Sequence, residues 1–364
     1  MITLSLCMIV KNEQNTLPRL LESVSEVFDE IIIADTGSTD KTKEIAMSFT
    51  QKVYDFEWCD DFSAARNFSF SKATSDYIMW LDADDIIAKQ DIQKLLELKS
   101  SLDFCTDVVM MKYHAAFDEQ GKPTFSYFRE RILKRQKNFL WQGVVHEAIT
   151  PSGKIIYSDI SVCHAKDKDA PYTQRNLLLY EKKLDKGESL DAREQFYYAR
   201  ELFYHKRYTK AIEIFKKFLI NPDGWVQNKL SACLHLFQCY YAINKQSKAF
   251  ESLLNSFKYS ISAEVLCALG AFELENNNYT NAIFWYKSAL LCQKDEQSGG
   301  FINQDCYDFI PNIQLAVCYD RLKDYKTANM YNTAAGNYKP TDRTFLTNRE
   351  YFDNILSNGS HFEN

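Results

Sequence analysis

The first 82 residues alternate apolar runs of strand length with stretches of helical spacing, and that rhythm leaves few folds open. Ile2–Val10 is a nearly continuous apolar run. Thr16–Phe28 then places Leu17, Leu20, Leu21, Val24 and Val27 at helical intervals, and Glu30–Asp35 is a short apolar run ending on a carboxylate. Ser38-Thr39-Asp40 supplies an N-cap cluster for a helix that carries Ile45, Ala46 and Phe49 on one face. Lys52–Phe56 reads as a third strand, Phe62–Ala73 as a helix, and Tyr77–Leu81 as a fourth strand closing at Asp82. Strands alternating with helices predict a mostly parallel, Rossmann-like sheet with ligands at the carboxyl ends of its strands.

From Asp107 the pattern becomes β-rich: Asp107–Ala115, Phe125–Leu133, Val144–Ile149 and Lys154–Cys163, with turn signals at Glu119–Pro123 and Pro151–Gly153. A mixed or antiparallel extension of the sheet is expected there. The charged stretch Lys166–Ala170 before Pro171 marks a boundary. We therefore divide the chain into an α/β domain over 1–170, a linker helix over 171–190 and an all-α domain over 191–364.

The all-α part carries a recurring motif. Tyr208-x2-Ala211-x3-Phe215, Ala249-x3-Leu253, Tyr279-x2-Ala282-x3-Tyr286 and Tyr325-x2-Ala328-x2-Tyr331 fit the second helix of a tetratricopeptide-like unit. The alanines recur at intervals scattered around the expected repeat of about 34 residues. The last interval holds an insertion over Gln293–Asn303, where Ser298-Gly299-Gly300 marks a loop. A small alanine lets two helices approach, and the aromatics fill the gap to the next hairpin.

Composition narrows the function classes. The 25 Phe, 22 Tyr and 5 Trp give ample apolar surface to bury, which excludes disorder as the main state. With 43 Lys+Arg against 49 Asp+Glu, the chain is no basic nucleic-acid binder. Its ten cysteines form no C-x-x-C pair and sit mostly in apolar runs, as buried thiols do. Ile2–Val10 is too short to span a bilayer and runs into Lys11, Asn12 and Glu13 without a small-residue cleavage pattern. The expectation is a reduced, cytoplasmic protein with no membrane span.

Asp82-Ala83-Asp84, directly after the apolar run Tyr77–Leu81, is the sharpest chemical signal. Two carboxylates one residue apart at a strand end can hold a divalent cation, and the cation a diphosphate. Asp35-Thr36-Gly37-Ser38-Thr39-Asp40 also closes a strand. A carboxylate there can accept a hydrogen bond from a nucleobase or ribose, and Gly37 permits a tight turn into the helix. Between them lies Ala65-Arg66-Asn67, whose arginine can make bidentate contacts to a phosphate or carboxylate.

Ser5–Glu13, Glu30–Asp40, Ala64–Asn67 and Trp80–Asp85, taken in that order, resemble the family-2 inverting glycosyltransferases of the GT-A fold over roughly residues 1–165. The resemblance implies that Asp35 recognises the base of a nucleoside-diphosphate sugar, commonly uracil, and that Asp82 and Asp84 address the ribose and the metal-diphosphate unit. It places Arg66 near the base or phosphates, and Ile9, Val10, Lys11 and Glu13 along the nucleotide, although the first strand must be apolar in any case. Adding Trp141–Glu147 and the tetratricopeptide-like tail, the chain resembles more narrowly the sublancin-type glycosyltransferases, which modify Cys or Ser side chains of peptides. That implies a UDP-hexose donor, usually UDP-glucose, with Mg²⁺ or Mn²⁺.

Inverting transfer needs a base beside the acceptor, and the segment Trp141-Gln142-Gly143-Val144-Val145-His146-Glu147 offers two candidates. Successive strand residues face opposite ways, so one of the pair is expected in the site. We favour Glu147 over His146. Trp141 could stack on a sugar face or plug the core, and His164, at a strand end, could complete the metal site begun by Asp82 and Asp84. His114 and His205 are read as structural. The helical repeats suit a peptide or protein acceptor and could also mediate a homo-oligomer. The competing readings are a glycan or lipid-linked sugar acceptor, and a non-catalytic scaffold with a degenerate sugar-nucleotide domain.

Overall fold

In a computed structural model, which describes residues 1–118, 121–164 and 173–359, the chain forms two compact units, residues 1–201 and 202–364. The boundary expected at residue 170 and part of the Glu119–Pro123 turn lie outside the described residues.

The first unit is built on β1 (Leu4–Val10), β2 (Glu30–Asp35), β3 (Val53–Asp55), β4 (Tyr77–Trp80), β5 (Asp85–Ile86), β6 (Val108–Phe117), β7 (Pro123–Lys134) and β8 (Ile155–His164). They lie in the order β3-β2-β1-β4-β7-β6-β8-β5. β3, β2, β1 and β4 are parallel, as right-handed strand-helix-strand crossovers require. β7 then runs antiparallel to both β4 and β6, and β8 pairs with β6 in parallel and with β5 antiparallel. The sheet is mixed, with its parallel half at the amino-terminal end of the chain.

Strand alternation divides the side chains between two cores. Leu4, Leu6, Met8 and Val10 enter one with Ile31, Ile33, Tyr77 and Met79, while Cys7, Ile32, Ile78 and Trp80 enter the other. Each fully buried Leu, Ile or Met stabilises the fold by roughly 1.5–3 kcal/mol. Helices α1 (Leu17–Val24), α2 (Thr42–Phe49), α3 (Phe62–Ser71) and α4 (Lys89–Ser101) complete this α/β layer. The helix expected after Ser38-Thr39-Asp40 starts later, at Thr42. Ser38 and Thr39 are tied instead to Asn12, and Asp40 accepts from the Thr42 N–H at 2.9 Å. Asp61 caps α3 through the Ala64 N–H at 3.1 Å, a contact worth about 1 kcal/mol. Helix α5 (Arg175–Asp185) and most of α6 (Ala192–Tyr204) belong to the same unit.

The second unit is a run of helices: α7 (Tyr208–Leu219), α8 (Val226–Ala242), α9 (Gln246–Asn255), α10 (Ala263–Glu275), α11 (Tyr279–Ala289), α12 (Phe309–Arg321), α13 (Tyr325–Tyr338) and α14 (Arg343–Gly359). α8 packs on α9, α10 on α11 and α12 on α13. The motif alanines Ala211, Ala249, Ala282 and Ala328 are all fully buried, on α7, α9, α11 and α13. Lys206, Asn244, Asn277 and Lys323 each adopt left-handed backbone two residues before those helices begin, so one turn geometry recurs along the unit. At Gly270 on α10 an added Cβ would lie 2.8 Å from the ring of Tyr286 on α11, which shows how closely that hairpin is packed. Among the described residues no helix is long and apolar enough to cross a membrane.

Candidate active site

The carboxyl ends of β1 and β2 are neighbours, with Val10 in register with Asp35. Asp35 is buried. Its Oδ1 accepts from the N–H groups of Gly37 (2.9 Å) and Ser38 (2.8 Å), and its Oδ2 has no hydrogen-bond partner. Gly37 sits at φ +98°, a conformation that an L side chain strains to adopt, so the turn that presents both N–H groups depends on glycine. The segment after β1 is tied to the same turn. Asn12 Oδ1 accepts from the Thr39 N–H at 2.8 Å, and the Glu13 N–H donates to Thr42 Oγ1 at 2.7 Å.

Val10 places its side chain in the core and contributes only its carbonyl, which accepts from the Thr36 hydroxyl. Ile9 is half-buried and Lys11 exposed. Burial, with the charges of Asp84, Asp82 and Asp40, pushes the Glu13 carboxyl above the usual range despite a hydrogen bond from Thr16. Glu13 therefore feels the acidic cluster after β4.

Three aspartates close that strand in different ways. Asp82 accepts from Arg66 Nη2 at 2.7 Å. Burial alone would raise its pKa, but the charges of Arg66 and Arg131 outweigh burial and hold it below the usual carboxylate range. Ala83 is buried between the acids. Asp84 has its Oδ1 3.6 Å from His164 Nδ1. Asp85 is fully buried, paired at 3.1 Å with the equally buried Arg131, and accepts from the Asp82 N–H at 3.0 Å. Burial, reinforced by the charge of Asp82, pushes the Asp85 carboxyl up against the pull of Arg131.

Because β5 and β8 set Asp85 opposite His164, ligand atoms of Asp84, Asp85 and His164 lie within 4.8 Å of one another. Asp85 Oδ1 and His164 Nδ1 are buried without a hydrogen-bond partner. Two carboxylates and one imidazole can ligate a divalent cation. Of the expected set Asp82, Asp84 and His164, this cluster holds Asp84 and His164, while Asp82 accepts from Arg66. Asp85 was adjacent to the D-x-D signal. Arg131, in an R-E-R-I-L strand, had no sequence signal.

Trp141 is 2% exposed and packs edge-on against Trp80 (4.8 Å between centroids) and Phe70 (5.9 Å), with the Arg66 guanidinium 4.7 Å from its centroid. It offers no free face to a sugar. It walls in the arginine instead, a cation–π contact strengthened by exclusion of water.

The segment expected as a strand over Val144–Ile149 is a tightly tied loop. Gln142 and Ala148 exchange backbone hydrogen bonds, and His146 has left-handed backbone at φ +53°. The alternating-face argument for choosing between His146 and Glu147 therefore does not apply. The two still diverge. Glu147 Oε1 accepts from Arg66 Nε at 2.5 Å, whereas His146 Nε2 lies 2.8 Å from Glu201 Oε1 and its ring stacks on Tyr197 at 4.4 Å. The guanidinium of Arg66 therefore bridges Glu147 and Asp82.

Residues 5–155 match the model of the family described as Glycosyl transferase family 2. The chain carries a family 2 glycosyltransferase domain. It is 37% identical over 153 residues to a TPR repeat-containing protein of Synechococcus elongatus, covering 42% of this chain and 36% of that one. To the SPbeta prophage-derived glycosyltransferase SunS of Bacillus subtilis it is 30% identical over 233 residues, covering 60% of this chain and 54% of SunS. The chain thus spans between a third and about half of the length of these curated relatives. Among solved structures, S. aureus TarS 1–349 in complex with UDP-GlcNAc aligns with a TM-score of 0.40 at 14% identity, over 72% of this chain and 93% of that one.

Within the glycosyltransferase domain, Asp35, Gly37, Arg66, Asp82, Ala83, Asp84 and Glu13 gather at or beside the carboxyl ends of β1, β2 and β4, where an open α/β sheet binds ligands. Glu147 reaches that group through Arg66, and His164 through Asp84. His146 meets Glu201 instead, Val10 packs in the core, and Trp141 packs against Arg66.

Proposed function

We propose that the protein is an inverting glycosyltransferase that moves a hexose from a UDP-sugar, UDP-glucose first among them, to a Cys or Ser side chain of a peptide or protein acceptor. The observation that carries the reading is the set of three features within or just after the residues matching family 2: the partnerless Asp35 Oδ2, the Asp84–Asp85–His164 cluster and the Arg66–Glu147 pair. Asp35 Oδ2 is a buried acceptor suited to a nucleobase N–H. Asp84, Asp85 and His164 would hold Mg²⁺ or Mn²⁺, which when bound offsets the negative charge of the diphosphate.

Glu147 takes the acceptor proton. The acceptor sulfur or oxygen then bonds to the anomeric carbon as the bond from that carbon to the diphosphate oxygen breaks, and UDP departs. Arg66 holds the Glu147 carboxylate in place through one oxygen. The helical second unit supports a peptide acceptor, since helical repeats hold extended or helical segments.

The test is incubation of the full chain with a panel of UDP-hexoses, Mn²⁺ and Cys- or Ser-containing peptides, read by intact mass and UDP release. One added hexose on the peptide supports the proposal. UDP release without any modified peptide removes the peptide acceptor, and no release with any donor removes the reaction.

A further inference from the structure

Helices α3, α5 and α6 each hold backbone groups of the loop 141–148. On the α3 side, the side chain of Asn67 pairs with both the N–H and the carbonyl of Trp141 (2.9 and 3.0 Å), and the Phe62 N–H donates to the Val144 carbonyl at 2.9 Å. From α5, the Tyr180 hydroxyl donates to the Val145 carbonyl at 3.2 Å. From α6, Arg193 donates through both Nε (3.2 Å) and Nη2 (3.0 Å) to the His146 carbonyl.

α6 also grips the other end of the same residue. Glu201, fully buried, meets His146 Nε2 and accepts from Asn176 at 3.3 Å, and Tyr197 lies flat against the imidazole at an interplanar angle of 17°. The Arg193 guanidinium lies 4.8 Å from the centre of the Tyr197 ring and donates to its hydroxyl at 3.4 Å, so these two side chains of α6 brace one another. They converge on the one non-glycine residue of this loop with left-handed backbone. Such a conformation persists where the surroundings over-determine it, and its effect is to reverse the direction of the next residue. That next residue is Glu147, which His146 hands to Arg66.

We infer that Arg193 and Glu201 are positioning residues for the transfer reaction. By clamping the carbonyl and the imidazole of His146, they hold its left-handed turn and so aim the Glu147 carboxylate at Arg66 and the site. The segment taken from the sequence as a linker followed by the first repeat is therefore the back wall of the active-site loop. His146 serves as its handle, not as a second base.

This inference rests on the reading of Glu147 as proton acceptor, and a mutant cycle separates the two. Arg193→Met should lower kcat by about tenfold or more with donor KM within about threefold, and Arg193→Lys, which keeps a donor of similar reach, should fall between it and the wild type. Added to Glu147→Gln, Arg193→Met should cost no more than about twofold further, because residues acting through one group are not additive.

Hydrogen exchange supplies a readout independent of turnover. Backbone amides of 145–148 should exchange faster in Arg193→Met while those of α3 are unchanged, and the same comparison on Glu201→Gln serves if Arg193→Met does not fold. Equal factors in both backgrounds, or unchanged exchange over 145–148, would overturn the inference. Wild-type kcat in Glu147→Gln would instead remove the proton acceptor.

Discussion

Arg66 is the residue on which the site's electrostatics turn, and Arg66→Met measures it. Its side chain is 9% exposed, bonded at 2.7 Å to Asp82 and at 2.5 Å to Glu147, and lies beside the indoles of Trp80 and Trp141. Methionine fills similar space without the charge, leaving the Asp82 and Glu147 carboxylates without the cation that bridges them. Removing one partner of a buried ion pair costs about 3–5 kcal/mol. Asp82 is 34% exposed and its share is screened by water, so the lower end, about 3 kcal/mol, is the expected loss. For a unit of this size that corresponds to a fall of roughly 6–12 °C in the melting point of the first unit.

The pH dependence has a definite sign. In the wild type the Asp82 carboxyl is held below its unfolded value, so it contributes stability above that value and loses it as pH falls through the folded one. Without Arg66, burial meets less opposition and the folded value rises, so the mutant is penalised most near neutrality. Its gap to the wild type should close as pH is lowered toward about 4, where carboxylates take up protons. Arg66→Lys retains the charge but cannot span both partners, and should lose roughly half as much. Thermal unfolding followed by circular dichroism between pH 4 and 7 checks this. A melting point within about 2 °C of the wild type at pH 7, or a gap that widens on acidification, would refute the reasoning.

Three further outcomes follow from the same geometry. Asp84→Asn should abolish transfer with the fold intact and weaken Mn²⁺ binding measured by electron paramagnetic resonance; near-normal turnover at saturating Mn²⁺ would contradict it. Glu147→Gln should depress kcat by roughly 10²–10⁴-fold with little change in donor KM, and less for Cys than for Ser peptides, because a thiol gives up its proton more readily. Gly270→Ala would set a Cβ against the Tyr286 ring and should destabilise the helical unit by about 1–3 kcal/mol, visible as an earlier second transition in calorimetry.

Local pattern alone carried much of the fold. The strands β1 to β4, the helices between them, the carboxylates at strand ends and the alanine repeat of the second unit all depend on spacing within a few residues. Strand and helix periodicity are themselves local physical facts. Asp35 and Asp84 stand out as candidates for the same reason: each lies at the end of an apolar strand run. Helix α4 escaped because its N-cap, Ala88, offers no side-chain acceptor and only Asp91 and Leu95 are fully buried.

Tertiary structure decided the rest. Val144–Ile149 has the composition of a strand, yet the loop it forms is fixed by Asn67, Tyr180 and Arg193, all remote in sequence. Asp82 and Asp85 each meet an arginine that no local signal links to them, Arg66 and Arg131. Buried guanidinium groups demand partners wherever the chain can bring them. Which carboxylate answers is settled only by packing, because desolvation makes an unpaired charge too costly to leave in place.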